Sequence, residues 1–258
     1  MNTAPQRIVT LTTDFGAGSG YVAELKGRLL HARTPFTLVD IAHDLPAHDI
    51  RTAAWLVARA CPAFPADTLH LIVVDPGVGT ARRILWVRAG GQEYLAPDNG
   101  VLARVLATTP AEAACELEIP SGASTTFHGR DVVAPAAAAI MDGSDPSSLG
   151  PRATGLETLP IPAPRHTPAG LTGEVVLVDT FGNLLTNLPA DLLPRLIAAG
   201  RLQVGDHAVT RVVRTYGDAP PGTPVALVGS QGVIEAAVVQ GRADTVLAAR
   251  VGTEVVLP

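Results

Sequence analysis

Three separated stretches of the sequence carry side chains able to move protons or hold a polar ligand. Asp14 stands in TTDFG, Asp75 in VVDPGVGT, and His128 in STTFHGRD, which brings a histidine, an arginine and an aspartate within four residues. An ionised aspartate offers several lone-pair sites, suited to ribose hydroxyls or to orienting a water. Histidine titrates near neutrality and can accept a proton. Each residue also has a plainer reading. Asp-Pro-Gly pins turns readily, a lone histidine serves structure, and Arg130 with Asp131 makes a salt bridge or a charge pattern at a helix start. Gly77 and Gly79 mark a loop that bends sharply or approaches a ligand closely. No Gly-Lys-Ser/Thr follows them and TDFGAGSG lacks the dinucleotide spacing, so phosphate binding is disfavoured.

The second half offers recognition chemistry. Asp179-Thr-Phe-Gly-Asn183 combines a carboxylate, an aromatic ring and an amide, a set suited to an amine and a flat base, or equally to a hairpin turn. Tyr216 is a candidate stacking platform. Ser230-Gln-Gly-Val-Ile-Glu235 offers hydroxyl and backbone donors for a carboxylate, or a tight strand connection. Residues 40–49, DIAHDLPAHD, hold two histidines and three aspartates but match no metal-binding spacing, so a polar loop with Asp49 near a helix's first turn is expected, and no metal.

The elements that must position these groups alternate in the first half. Residues 7–13 read as a strand and 21–32 as a helix. The pattern repeats with 37–41 and a helix around 50–60, and again with the apolar run 69–74. Such units predict a parallel sheet flanked by helices, and ligands collect at the carboxyl ends of its strands, where Asp14 and Asp75 fall. Residues 84–89 and 94–96 read as shorter strands, and 99–107 and 132–141 as helices, the last limited by Pro135. From 142 to 170 Gly, Ser and Pro accumulate, which predicts a linker. Beyond Leu171 the short valine-rich runs 173–179, 203–214, 224–229 and 234–240 predict a small antiparallel barrel or sandwich. The expected organisation is an α/β domain over 1–160 and a smaller all-β domain over 161–258.

Composition narrows the partners. The 258 residues are 47% hydrophobic and 17% charged, yet no uncharged apolar run approaches the roughly 18 residues a membrane helix needs. A net charge of −5 without a basic cluster gives no footprint for nucleic acid. Cys61 and Cys115 lie far apart, arguing against a disulfide framework or thiolate zinc site. The opening MNTAPQRIVTL lacks the basic start and apolar stretch of a secretory signal, so a cytoplasmic protein acting on a small molecule is expected.

Seven segments taken in order resemble the S-adenosylmethionine (SAM) hydroxide adenosyltransferases, the hydrolytic branch of the superfamily that contains the fluorinase and chlorinase. They are TDFG (13–16), YVAELKG (21–27), VVDPGVGTARR (73–83), APDNGVL (96–102), TFHGRDVVAP (126–135), DTFGNLLTN (179–187) and SQGVIEAAV (230–238). The resemblance implies hydrolysis of SAM to adenosine and methionine without cofactor or metal. It also implies an α/β domain joined to a barrel-like β domain in a homotrimer, with substrate lying between the first domain of one subunit and the second of its neighbour. Asp75, Arg82 and His128 fall on the water-activating positions, Arg82 being preferred over Arg83. Asp14 falls on the ribose-binding position and Asp179 and Ser230 at the methionine end. Asn183, Tyr216 and Glu235 fall at or around the adenosine end, and Val238 is also counted in the substrate pocket.

Halogenation is the alternative within that superfamily. Relatives that fluorinate carry tyrosines at the positions of Asp75 and His128, a halide-binding serine at Gly129 and a threonine at Val78. Their long inserted loop corresponds to a short turn near residues 90–92. Gln231 stands where the fluorinase has an arginine for the substrate carboxylate, which leaves recognition of that end open. A protein that binds SAM or adenosine without turnover is a third possibility.

Overall fold

The computed structural model describes residues 6–160 and 162–258. Residues 1–5, where the start was read for a leader, and Ile161, at the expected domain boundary, lie outside them. Two compact units follow one another, the first ending at Leu159 and the second beginning at Pro160.

The first unit contains β1 (Arg7–Thr13), α1 (Tyr21–Leu29), β2 (Phe36–Ala42), α2 (Ile50–Ala60), β3 (Leu69–Val73), β4 (Ile84–Ala89), β5 (Gln92–Pro97), α3 (Ala103–Thr108), β6 (Ala113–Glu116) and α4 (Ala134–Met141). Its sheet runs β2-β1-β3-β5-β4-β6. The first four are parallel, and β4 is antiparallel to both its neighbours. β3 is buried along its whole length, as a central strand covered on both faces must be. Leu69 and Leu71 point into a core with Leu25, Leu29 and Ile140, while Ile72 and the following Val74 join Val57 and Val105 on the other side.

Several boundaries differ from the sequence expectation for local reasons. α1 ends at Leu29, not 32, because the chain tightens into i→i−3 bonds at His31 and Ala32, and Asp142 then accepts the N–H groups of Arg33 and Thr34. α3 begins at Ala103 rather than 99. Asn99 Oδ1 accepts Val101 N at 3.1 Å, and Gly100 sits at φ +89°, outside the helical region. Pro135 lies in the first turn of α4, where the missing donor is tolerated. The one-turn π-helix before it, Gly129–Val133, bonds Ala134 N to Gly129 O. The stretch 142–170 is not a free linker. Arg152 bridges to Cys115, and 165–167 form a strand.

The second unit contains β7 (Arg165–Thr167), β8 (Gly170–Val178), β9 (Leu184–Pro189), α5 (Leu193–Ala199), β10 (Leu202–Val204), β11 (His207–Val209), β12 (Pro224–Val228), β13 (Val233–Val238), α6 (Ala243–Val246) and β14 (Glu254–Leu257). The antiparallel order is β11-β10-β14-β8-β9-β13-β12, with β7 on β8. A Val212–Ala226 bridge links the segment after β11 to β12, bringing the sheet near closure. Alternate residues of β8, β9 and β13, including Val175, Leu184, Ile234 and Ala236, fill the interior. Among the described residues both cysteines are free and buried, and no helix is long and apolar enough to cross a membrane.

Candidate active site

The loop after β3 turns back on itself because Asp75 Oδ1 accepts Gly77 N at 3.2 Å and Thr80 Oγ1 donates to Gly77 O at 2.7 Å. That turn returns Arg82 to Asp75, and Arg82 Nη2 donates to Asp75 Oδ2. Both side chains are buried. Burial pushes the Asp75 carboxyl up against the pull of Arg82, and it pulls the Arg82 guanidinium down. The neighbouring arginine faces elsewhere: Arg83 Nε donates to Asp98 Oδ2 at 2.8 Å.

His128 ends the second loop, and its position depends on two glycines. Gly79 has φ +77° and approaches the backbone at Thr125 so closely that a Cβ would stand 2.1 Å from its carbonyl oxygen. A Cβ at Gly129 would stand 2.9 Å from Val73 Cγ1, so a larger residue there would require the π-turn or the Val73 side chain to shift. Asp131 pins the loop from below by accepting Ser124 N at 3.0 Å. Burial lowers the His128 pKa first, and the Arg82 charge adds to the effect, against the pull of Asp75 and Asp131. The imidazole is therefore neutral at neutral pH. Its buried Nδ1 has no hydrogen-bond partner among the described residues, nor has the buried Arg82 Nε.

Asp75 and His128 share a cavity of about 240 Å³ with Asp14 and the mutually edge-packed rings of Phe15, Tyr21 and Phe127. Asp14 Oδ2 accepts the backbone N–H of His48 at 2.8 Å. His48 lines this cavity too and was missed in the sequence. Its signal is conformational, a non-glycine residue at φ +67°, the kind of strain that gathers at functional sites. Asp40, His43 and Asp49 of that His/Asp-rich segment have structural partners. Asp49 caps α2 by accepting Thr52 N, and His43 lies between Thr13 and Asp40. Among the described residues no three His, Cys, Asp or Glu side chains are grouped to hold a metal.

The second unit holds its own cavity, about 550 Å³, lined by Asp179, Asn183, Tyr216, Ser230, Glu235 and Val238. Asp179 Oδ1 accepts Phe181 N and Asn183 N, so the hairpin reading of this segment is correct. Asn183 Nδ2 donates to Asp179 Oδ2 at 3.0 Å, which fixes the amide orientation and turns its carbonyl oxygen away from the carboxylate. Tyr216 Oη donates to the buried Glu235, whose carboxyl burial pushes up. The backbone under the ring is held by a capping box between Thr215 and Asp218. Gln231 Oε1, in the same cavity, is buried without a partner among the described residues.

Residues 9–150 match the family model described as the SAM hydroxide adenosyltransferase N-terminal domain, and residues 173–256 match its C-terminal domain. The chain belongs to the SAM hydroxide adenosyltransferase family. Its relatives include proteins named (R)-S-adenosyl-L-methionine hydrolase. The one from Thermus thermophilus is 38% identical, over 96% of this chain and 98% of its own length. The one from Salinispora tropica is also 38% identical, over 95% of each. Among solved structures, an uncharacterized conserved protein from Thermotoga maritima superposes with a TM-score of 0.87 at 35% identity, covering 96% of this chain and 98% of that one. A conserved hypothetical protein from Thermus thermophilus gives 0.81 at 39%, covering 98% and 100%. In this SAM hydroxide adenosyltransferase, Asp14, Asp75, Arg82 and His128 thus gather in the first unit, and the other six expected positions gather in the second.

Proposed function

We propose that this chain hydrolyses S-adenosylmethionine to adenosine and methionine, with water attacking the ribose C5′. The observation that carries the proposal is the buried Asp75–Arg82 pair beside a neutral His128 whose Nδ1 finds no partner among the described residues. As the water oxygen bonds to C5′, the C5′–sulfur bond breaks and sulfur keeps its electron pair, leaving methionine as a neutral thioether. The leaving group needs no proton. The demand falls on the nucleophile, so His128 accepts the water's proton while Asp75 orients a lone pair and the Arg82 charge favours hydroxide. The proton then passes to solvent.

Asp14 suits the ribose hydroxyls as an ionised acceptor held in place by His48 N. The Asn183 carbonyl and the Tyr216 ring suit a purine and its exocyclic amine. Asp179, Ser230 and Gln231 suit the methionine end, where Gln231 Oε1 can accept from the ammonium and its Nε2 can donate to the carboxylate. The relatives' names specify the (R) substrate, and the proposal includes that preference. A halide reading is disfavoured, because Gly129 brings no side-chain hydroxyl donor to the cavity it lines.

The first cavity, at about 240 Å³, is smaller than sites that enclose ligands of this size, and the two sets of side chains divide activation from recognition. The family resemblance implies a homotrimer in which neighbouring subunits complete each site, and this division is in keeping with a shared site. Neither metal nor cofactor takes part, and the activity is cytoplasmic.

Chromatography of the protein with each SAM epimer tests the reading. Adenosine and methionine in equal amounts, undiminished by EDTA, are expected. Tight adenosine retention without turnover, or a 5′-halo product with chloride, would overturn it. Mixed trimers of Asp75→Ala and Asp179→Ala subunits, assayed at SAM well below KM, should show more activity than either variant alone, and cell fractionation checks location.

A further inference from the structure

Two side chains outside the cavity hold both ends of the loop that bears Asp75 and Arg82. They belong to Asp98 and Asn99, in the turn after β5. At the near end, Asn99 Nδ2 donates to Val74 O at 3.0 Å, the carbonyl of the peptide immediately before Asp75. The other end of the same amide is committed, since Asn99 Oδ1 accepts Val101 N. At the far end, Asp98 N donates to Arg83 O at 2.9 Å, and Arg82 Nη1 donates to that same carbonyl at 2.7 Å. The buried Asp98 carboxylate grips the Arg83 guanidinium and also accepts Glu157 N at 2.8 Å. Arg83 Nη1 and Nη2 then donate to the carbonyls of Thr154 and Gly155.

We propose that the Asp98–Asn99 turn is a positioning device, in which Asn99 sets the placement of Asp75 and Asp98 sets that of Arg82 through the Arg83 carbonyl. Neither residue lines the cavity, so each acts through the loop. This rests on the hydrolase reading above. The physical reason is that Asp75 and Arg82 are buried and oppositely charged, so their pair tolerates a shift of the loop without breaking. Their attraction therefore holds them to each other but not to the water and C5′. That second requirement falls on fixed backbone, and misplacement of about 1 Å costs on the order of 100-fold in rate.

The test is Asn99→Asp, which keeps the acceptor toward Val101 N but replaces the donor facing Val74 O with an oxygen. Steady-state kinetics with SAM should show kcat lower by about 10- to 100-fold and KM within about twofold, and the acid limb of the kcat profile, read on the neutral Asn99→Ser so that no new charge moves it, should be displaced because the surroundings of His128 change. A purely structural role would lower the thermal midpoint and the active fraction while leaving that limb in place, and such a result overturns the proposal. Should Asn99→Asp not fold, Asn99→Ser serves, with the same expectations. If the wild type itself releases no adenosine, the hydrolase reading fails, and the brace is then read by amide exchange. Exchange should speed up over residues 75–82 in the variant and remain unchanged in β1, and equal exchange in variant and wild type overturns it.

Discussion

The two cavities solve opposite problems. In the first unit the polar groups are buried with capacity left over: Arg82 Nε and His128 Nδ1 have no partner among the described residues, and burial shifts the Asp75, Arg82 and His128 pKa values. In the second, Asp179 and the Asn183 amide are largely satisfied by their own hairpin, and Glu235 holds Tyr216. Unspent hydrogen-bonding capacity beside neutral imidazole is the signature of a place where a proton moves, and satisfied groups around a large concavity are the signature of shape recognition. Asp14 at the ribose apart, substitutions should therefore split by unit, with losses in kcat from the first and in KM from the second.

The largest effect is expected from Asp75→Ala and His128→Ala. Each should lower kcat by about 10² to 10⁴-fold, with adenosine affinity by calorimetry little changed. The pH profile carries the same information. A base must be neutral to act, so activity is present above the His128 pKa and is lost as pH falls through it. That pKa is lowered from its ordinary value, which places the acid limb below about 6.5. A limb above 7, or one that survives His128→Ala, would remove the imidazole from the mechanism.

Acid should also separate the units thermodynamically. His70 on β3 is fully buried, bonded through Nδ1 to Thr10 Oγ1 at 2.7 Å and stacked on Tyr94, and burial lowers its pKa to about 4. A lowered folded-state pKa means stability that is intact above the unfolded value of about 6.5 and is lost progressively toward pH 4. The full loss is about 3 kcal/mol. In the second unit the buried Glu235 has the opposite sign. Its raised pKa stabilises the folded state as pH falls, and Asp244, with a lowered pKa, loses its contribution only below the usual carboxylate range. Both tryptophans, Trp55 and Trp86, lie in the first unit, so their fluorescence follows that unit alone. Urea titrations at pH 7 and pH 4.5 should show the tryptophan transition moving more than the remaining far-UV transition, and His70→Gln should remove most of the difference.

The same contrast explains what could be read from the sequence. β1, α2 and β3 were legible because long alternating or continuous apolar runs report burial directly. β6, β9, α5 and β14 were not. β6 and β14 are short, β9, LLTNLP, interrupts its apolar run with Thr186 and Asn187, and α5, LPRLIAA, is too brief for a helical period to rise above its apolar background. The stretch 142–170 read as linker from its glycines, serines and prolines, but carbonyls such as Thr154 O and Gly155 O serve as acceptors for Arg83, a pairing that no local pattern encodes. In the site, Asp14, Asp75 and His128 were visible as reactive types following strands or preceding a helix. Whether Arg82 or Arg83 meets Asp75 depends on a turn seven residues long closed by Thr80 and Gly77, which is settled only in three dimensions. His48 was hidden because positive φ has no spelling in a histidine.

The smallest effect is expected at Tyr216, and it tests the recognition half most cleanly. Removing the hydroxyl with Tyr216→Phe keeps the ring and its capped backbone but leaves the buried Glu235 carboxyl without its donor. Hydrogen bonds to charged groups contribute about 1.5–3 kcal/mol. Burial already pushes the Glu235 pKa up, so part of the loss is recovered by protonation, and KM should rise by roughly five- to tenfold with kcat unchanged. Glu235→Gln keeps an acceptor for the hydroxyl without the charge. If the pair works by holding the ring, adding Tyr216→Phe to Glu235→Gln should cost less than it does in the wild type, the coupling expected of neighbours in one hydrogen bond. Equal falls in kcat and kcat/KM would instead mean that this ring matters only in the transition state, and the division of labour between the two cavities would have to be abandoned.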